Sequence, residues 1–113
     1  MSSWETPADR LPPVGNVQKL LRALADPVRL EMVRRLAVSL DGEGPCGDLY
    51  EDLSKSTATH HFKVLVDAGV LRPVMVGGAR GHRLRRDDLQ EAIPGLLDAI
   101  VDALLREGSV TAP

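Results

Sequence analysis

Short polar side chains and two lysines are concentrated in one stretch in the middle of the chain. Residues 54–63 read Ser-Lys-Ser-Thr-Ala-Thr-His-His-Phe-Lys. At the first turn of a helix such side chains can reach base edges and phosphates in the major groove of duplex DNA. The ammonium of Lys63 suits a phosphate, and the ring of His60 suits a base edge or a phosphate. The candidate contact residues are Lys55, Ser56, Thr57, Thr59, His60 and Lys63.

A second basic group lies in a glycine-dense segment further along the chain. Gly77 and Gly78 precede Arg80 and Gly81 follows it, so little bulk separates its guanidinium from a DNA backbone or a minor groove. Arg83 is the second candidate in this segment. A Ser/Thr-rich helix start and a glycine-rich turn are each common for structural reasons alone. Their order along the chain, together with the charge distribution, favours DNA binding.

The charge is unevenly distributed along the sequence. The whole chain of 113 residues carries a formal charge of −2, which by itself argues against a nucleic-acid partner. Residues 54–86, however, hold seven lysines and arginines and one acid, a net charge of +6, which leaves −8 for the rest. All three histidines lie in the same window. Such a polar molecule has one face suited to phosphates.

Helical patterns precede this window. Asn16 can cap a first helix, and Asp26-Pro27 can start a second one that runs to about Leu40, because Asp accepts from free amides and Pro fits the first helical position. Glycine and proline between residues 41 and 45 end that helix. A short helix over 47–53 and a longer one from about Ser56 to Ala68, capped by Ser56 or Thr57, form a helix-turn-helix.

After Gly69 the pattern of hydrophobic residues changes to a period of two. Gly69 itself is placed to cap the longer helix in a left-handed conformation. Residues 70–76 and 82–85 predict a hairpin around the glycine turn. Asp87 and Gln90 predict a capping box, and residues 94–106 predict a last helix. We therefore predict a mainly α winged helix-turn-helix, ordered helix-helix-helix-helix-strand-strand-helix. Residues 1–14 are predicted to form a flexible N-terminal tail, 15–106 the DNA-binding and dimerisation domain, and 107–113 a C-terminal tail.

Composition excludes several classes of protein. The chain is 43% hydrophobic and 27% charged, as in an ordinary globular domain, and no apolar run is long enough to span a membrane. The first residues do not resemble a signal peptide, and the single Cys46 excludes an internal disulfide. We expect a cytoplasmic protein without a cofactor. An enzyme using Cys46 with His60 or His61 is disfavoured because no third orienting group is apparent.

Two motifs resemble those of the ArsR family of bacterial repressors. Residues 24–30, Leu-Ala-Asp-Pro-Val-Arg-Leu, resemble its Leu-Ala-Asp-Pro-x-Arg signature. Residues 54–65, followed by Asp-Ala-Gly-Val-Leu at 67–71, are similar to its recognition helix and the exit from that helix. The resemblance covers roughly residues 17–105. It implies a DNA-binding repressor that leaves a partly palindromic operator when an effector binds, with contacts from Lys55, Ser56, Thr59 and His60.

The resemblance also implies a homodimer joined through the first and last helices. The wide apolar face of residues 94–106 and the apolar face of the first helix agree with this implication. The predicted interface residues are Val17, Leu20, Leu21, Leu24, Leu97, Ile100, Val101 and Leu104.

Two features depart from the family pattern. The segment 48–56 is about two residues short, which predicts an irregular first motif helix. Many members sense metals through a Cys-x-Cys pair or through Asp/His pairs on the last helix, whereas Cys46 stands alone and residues 94–106 contain no histidine. We expect no metal site and leave a small-molecule effector unidentified. A thiol- or metal-responsive sensor using Cys46 and a winged-helix protein-interaction module remain the alternatives.

Overall fold

The computed structural model describes residues 4–50 and 52–111 of the chain. Residues 1–3 of the predicted N-terminal tail and residues 112 and 113 of the predicted C-terminal tail lie outside the described residues. The helices and strands are α1 (Val17–Leu24), α2 (Pro27–Ala37), β1 (Glu43–Pro45), α3 (Lys55–Asp67), β2 (Leu71–Val76), β3 (Ala79–Leu84), α4 (Arg86–Ala92) and α5 (Leu96–Thr111).

The first two helices begin at the predicted caps. The side chain of Asn16 accepts from the Lys19 amide at 2.9 Å, and one carboxylate oxygen of Asp26 accepts from the amides of Val28 and Arg29 at 2.8 and 3.0 Å. Each cap satisfies amides that have no partner inside the helix. Helix α2 ends at Ala37, before the predicted Leu40, and a 3-10 turn follows over Leu40–Gly42.

The recognition helix α3 begins one residue earlier than predicted. Its cap is Ser54, whose hydroxyl oxygen accepts from the Thr57 amide at 3.2 Å, so the prediction of Ser56 or Thr57 as the cap is wrong. Four of residues 54–57 and 59 are serines or threonines, and each could cap a helix. The short helix before it is only a 3-10 turn, Cys46–Leu49, as the shortened spacing indicated.

Gly69 ends α3 in the predicted left-handed conformation, with φ at +85°. The Gly69 amide donates to Val66 and the Val70 amide donates to Leu65, at 3.0 and 2.9 Å. This pair of bonds satisfies the last carbonyls of the helix. The N-terminal segment also passes close by, because a Cβ at Gly69 would lie 2.5 Å from the Val14 Cα. Gly69 thus turns the chain and makes room for another segment.

The sheet has three antiparallel strands in the order β1-β3-β2. Strands β2 and β3 form the predicted hairpin, but β1 was predicted only as a helix-ending segment. Its pairing places Pro45 opposite Gly81, where a Cβ would lie 2.4 Å from the Gly44 carbonyl oxygen. A glycine in β3 therefore permits the third strand to come this close.

Two helices follow the hairpin. Helix α4 starts after Arg85, which makes no side-chain cap, and Gln90 instead accepts from the Gly95 amide at 3.0 Å. The predicted capping box of Asp87 and Gln90 is therefore wrong. Helix α5 continues past the predicted end at Arg106, because the isolated Gly108 costs a helix only about 1 kcal/mol. Within the described residues, no helix has both the length and the hydrophobicity needed to cross a membrane.

The core is aliphatic, as the low aromatic content predicts. Side chains from α1, α2, α3 and the wing meet in it, and the most deeply buried of them are Leu20, Met32, Val33, Leu36, Leu65, Val70 and Leu71. This core fixes α3 by its inner face and leaves its outer face to solvent.

Replacing Gly69 with alanine tests the close approach of the N-terminal segment. Gly78 has the same backbone conformation, with φ at +84°, but no atom lies near the position of its Cβ. We expect Gly78→Ala to lower the free energy of unfolding by about 1 kcal/mol through backbone strain alone. Gly69→Ala should cost at least about 2 kcal/mol more, as in overpacked cores. Urea denaturation of both variants measures the difference, and equal losses would contradict this account of Gly69.

Candidate nucleic-acid interface

The outer face of α3 carries the predicted contact residues. All six of its candidates are exposed: Lys55, Ser56, Thr57, Thr59, His60 and Lys63. The opposite face buries Ala58, Phe62 and Leu65, which recur at helical spacing and anchor the helix in the core. The hydroxyl of Thr59 donates to the Lys55 carbonyl at 2.8 Å, so its oxygen keeps acceptor capacity toward solvent.

The signature residue Arg29 connects α3 to the preceding helices. Its Nη1 donates to Nδ1 of His61 at 3.0 Å, and its Nε donates to the Ala23 carbonyl at 2.6 Å. Because Nδ1 accepts this bond, the His61 ring faces the protein while the neighbouring His60 faces solvent. The sequence alone indicated no contact for Arg29. Arg29 is a positioning residue, since it acts on α3 through His61.

The wing is a tight hairpin whose tip carries Arg80. Gly77 and Gly78 both have positive φ, at 57° and 84°, as a two-residue turn of this twist requires. The guanidinium of Arg80 lies over the Trp4 ring, 5.2 Å from its centroid. This cation–π contact fixes the position of the guanidinium beside the hairpin turn.

Residues near the N-terminus lie along the wing. The indole N–H of Trp4 donates to the carbonyls of Val74 and Gly81, at 3.0 and 3.1 Å, and these two residues are a directly paired position of β2 and β3. One oxygen of the Glu5 carboxylate accepts from the Met75 amide at 3.2 Å. The sequence predicted only a flexible tail over residues 1–14 and did not indicate these contacts.

His82 is buried between the wing and α3. Its ring stacks on Phe62 with 4.3 Å between centroids, and the Trp4 ring meets it edge-on at 5.4 Å. Burial lowers the pKa of His82 from 6.5 to about 4, so the ring is neutral at pH 7. Burial also raises the pKa of the Cys46 thiol, whose Sγ lies 3.5 Å from Nδ1 of His82. A protonated thiol donating to a neutral ring is consistent with both shifts.

A groove of about 490 Å³ opens between α3 and the wing. The structure brings four of the predicted residues into its lining: Lys55, Thr59, Lys63 and Arg80. No carboxylate lines the groove, and none of its three cations forms an ion pair within the described part of the chain. A positive, solvent-facing rim of this kind suits phosphate oxygens.

Arg83 lies away from this groove. It faces the other side of β3 and pairs with Glu43 directly opposite on β1, with 2.6 Å between Nη2 and Oε2. Alternation along a strand sends neighbouring side chains to opposite faces, which separates Arg83 from His82. Glu43 neutralises part of the charge that the sequence assigned to DNA.

The predicted interface residues fall into three groups. Leu20, Leu24 and Leu97 are buried within the chain itself, and the first two share a small apolar cleft with the start of α5. Val17 and Leu21 are 55% and 48% exposed on α1. The remaining three, Ile100, Val101 and Leu104, are partly buried on α5.

The described residues do not fit the metal sites of the family. Zinc and related ions take three or four ligands. Within residues 4–50 and 52–111, no group of three or more histidines, cysteines or acids is close enough to hold one. Cys46 and His82 form a pair without a third such side chain beside them.

Solved structures of known transcriptional regulators share this fold. The family profile described as a helix-turn-helix domain matches residues 24–74. An ArsR-like transcriptional regulator from Rhodococcus sp. RHA1 is similar over 82% of this chain and 87% of its own, with a TM-score of 0.57 and 20% identity. The transcriptional repressor BigR from Xylella fastidiosa is similar over 77% and 84%, with a TM-score of 0.57 and 26% identity. The predicted winged helix-turn-helix is confirmed.

A curated relative decides the family. The uncharacterized HTH-type transcriptional regulator YceK of Bacillus subtilis (strain 168) is 34% identical over 84 residues, which span 73% of this chain and 83% of YceK. The chain belongs to the same family of helix-turn-helix transcriptional regulators as YceK. It is a DNA-binding regulator of transcription, and this family is not one of enzymes.

Acid should destabilise this helix-turn-helix regulator through His82. Between pH 6.5 and about 4 the unfolded chain binds a proton at this histidine and the folded chain does not, so stability falls as the pH falls. We expect His82→Phe, which can keep the stack on Phe62, to remove about 2 kcal/mol of the stability lost between pH 7 and 5. Most carboxylates stay ionised in that range.

Urea denaturation at the two pH values measures this loss. The control is Val38→Phe, which introduces the same ring at an exposed position and removes no titratable group. An unaltered dependence in His82→Phe would contradict the assignment.

Proposed function

We propose that this protein is a homodimeric repressor that occupies a partly palindromic operator in duplex DNA. The observation that carries the proposal is the joint placement of the exposed polar face of α3 and the Arg80 guanidinium around one positive groove. A helix seated in the major groove with a basic wing beside it is a common way to read duplex DNA.

The contact residues divide by chemistry. Lys55 and Lys63 are exposed ammonium groups on a flexible stem and suit phosphates, which position the protein without selecting sequence. Thr59 and His60 offer the acceptors and donors that distinguish base pairs. Arg80 is suited to the backbone or the minor groove, and Arg83 contributes less because Glu43 binds it.

Dimerisation is supported by the apolar side chains that a single chain leaves exposed on its end helices. Val17 and Leu21 on α1 and Leu105 on α5 are 55%, 48% and 39% exposed. A small domain buries a limited fraction of its surface alone, so covering these groups with a second copy would stabilise it. A two-fold dimer also presents two α3 helices to half-sites about one DNA turn apart.

Lysine and histidine variants test the proposed division of contacts. Lys63→Ala should weaken binding to operator and random duplexes alike and reduce the salt slope by about 1, because one phosphate contact is lost. His60→Ala should cost about 1–3 kcal/mol on the operator and relax the preference at particular bases. Fluorescence anisotropy at several salt concentrations measures both effects.

A matched control is Lys19→Ala, which removes an exposed lysine of α1 far along the chain from α3. Its affinity for both duplexes should equal that of the unmodified protein. Equal losses on operator and random DNA for all variants would overturn the assignment of roles. Failure to bind any duplex at low salt would contradict the proposal of a repressor. It would favour the alternative, a winged-helix protein-interaction module.

Charge placed on α1 tests the dimer. Leu21→Glu introduces a carboxylate at a 48% exposed leucine, so the single chain should fold normally while a buried interface would hold an unpaired charge. We expect a shift to monomer in sedimentation equilibrium and loss of tight operator binding. Leu40→Glu is the control, because Leu40 is 86% exposed and lies outside the proposed interface. If the Leu21→Glu protein has the same assembly mass in solution as the unmodified protein, the interface does not run through α1.

A further inference from the structure

We propose that the groove between α3 and the wing binds a small organic anion with an aromatic body and a carboxylate, and that this ligand excludes DNA. The exclusion step rests on the proposed function, whereas binding in the groove does not. The groove volume of about 490 Å³ falls within the usual range for small-molecule sites.

Aromatic side chains form much of the groove wall. Trp4 and His82 come from the N-terminal segment and the wing, and Phe62 comes from α3. Tyr50 adds a fourth ring, which meets Phe62 edge-on at 6.2 Å. A flat apolar ring gains favourable stacking and desolvation against such walls. A DNA backbone, which is polar and charged, does not match this part of the groove.

The floor of the groove carries no formal charge. Cys46 keeps its proton because burial raises the pKa of its thiol, and the buried His82 ring beside it is neutral. The floor therefore suits an apolar group. A reactive thiolate is disfavoured at Cys46, so reversible binding fits this site better than thiol chemistry.

The rim supplies the charge that a carboxylate requires. Lys55, Lys63 and Arg80 line the groove. Among the described residues, these cations form no ion pair and no acid lines the groove. A carboxylate beside these cations would make charge-assisted hydrogen bonds. An aromatic floor below a cationic rim selects a molecule with one apolar and one anionic end.

The same rim couples the ligand to DNA. Three cations and Thr59 serve both the proposed phosphate contacts and the groove. A bound carboxylate would neutralise these cations and so remove the phosphate contacts proposed for DNA. Two ligands that compete for one set of groups lower each other's apparent affinity reciprocally.

Trp4 provides a direct readout, because it is the one tryptophan in the sequence and lies in the groove wall. Sodium 3-phenylpropionate does not absorb at the wavelengths that excite tryptophan selectively, so it can be titrated against Trp4 fluorescence without DNA. We expect a saturable change, with affinity about tenfold above that of the neutral 3-phenylpropanamide because only the acid engages the cations. No saturable change up to the solubility limit of the salt, or equal affinity for the amide, would overturn the proposal.

A filling variant locates the site. Val66 lines the groove from α3 but is not among the proposed DNA contacts, so Val66→Phe should weaken 3-phenylpropionate binding at least about tenfold and leave operator affinity within about twofold. Val38→Phe makes the same substitution at an exposed position outside the groove and should change neither. Circular dichroism checks folding, and Cys46→Met adds bulk from the floor as a second filling variant. If both filling variants bind 3-phenylpropionate as tightly as the unmodified protein does, the proposed location is wrong.

Release of DNA tests the coupling. Sodium 3-phenylpropionate should displace a labelled operator from the unmodified protein more strongly than sodium chloride at equal concentration, and Val66→Phe should abolish this excess. Equal displacement by the two salts would refute exclusion of DNA. If the unmodified protein binds no duplex, the proposed function fails, and the Trp4 titration still decides whether the groove binds the anion.

Discussion

The stack of His82 on Phe62 is the interaction on which the rest of this structure depends. It joins the wing to the recognition helix with 4.3 Å between the two rings, and His82 is almost completely buried. Because His82 and Arg80 lie on the same face of β3, fixing one ring also fixes the direction of the wing tip. The distance between the cations of α3 and Arg80, and hence the shape of the groove, follows from this largely buried contact.

Local rules were enough to predict most of the helices and the hairpin. The caps at Asn16 and Asp26, the left-handed Gly69 and the glycine turn of the hairpin each depend on residues a few positions apart. The exposed face of α3 followed from the same periodicity, since Phe62 and Leu65 must point inward. The cap of α3 was misplaced because neighbouring serines and threonines satisfy the local rule equally well.

Contacts between distant segments could not be predicted in this way. Strand β1 exists because Gly81 accepts a close neighbour, and nothing near Glu43–Pro45 in sequence signals that partner. Cys46 and His82 are 36 positions apart, and each alone resembles an ordinary core residue. Arg83 was overvalued because its charge is visible in the sequence while its pairing with Glu43 is not.

The docking of Trp4 on the wing bears on how the chain reaches its folded state during synthesis. The indole leaves the ribosome before its acceptors at Val74 and Gly81, which follow 70 and 77 positions later. Until both strands are complete, this large apolar ring has no native partner. Contacts of such long sequence separation form slowly, so the N-terminal segment closes onto a hairpin that is already made. The segment that carries Trp4 is therefore translated before the wing and docks on it afterwards.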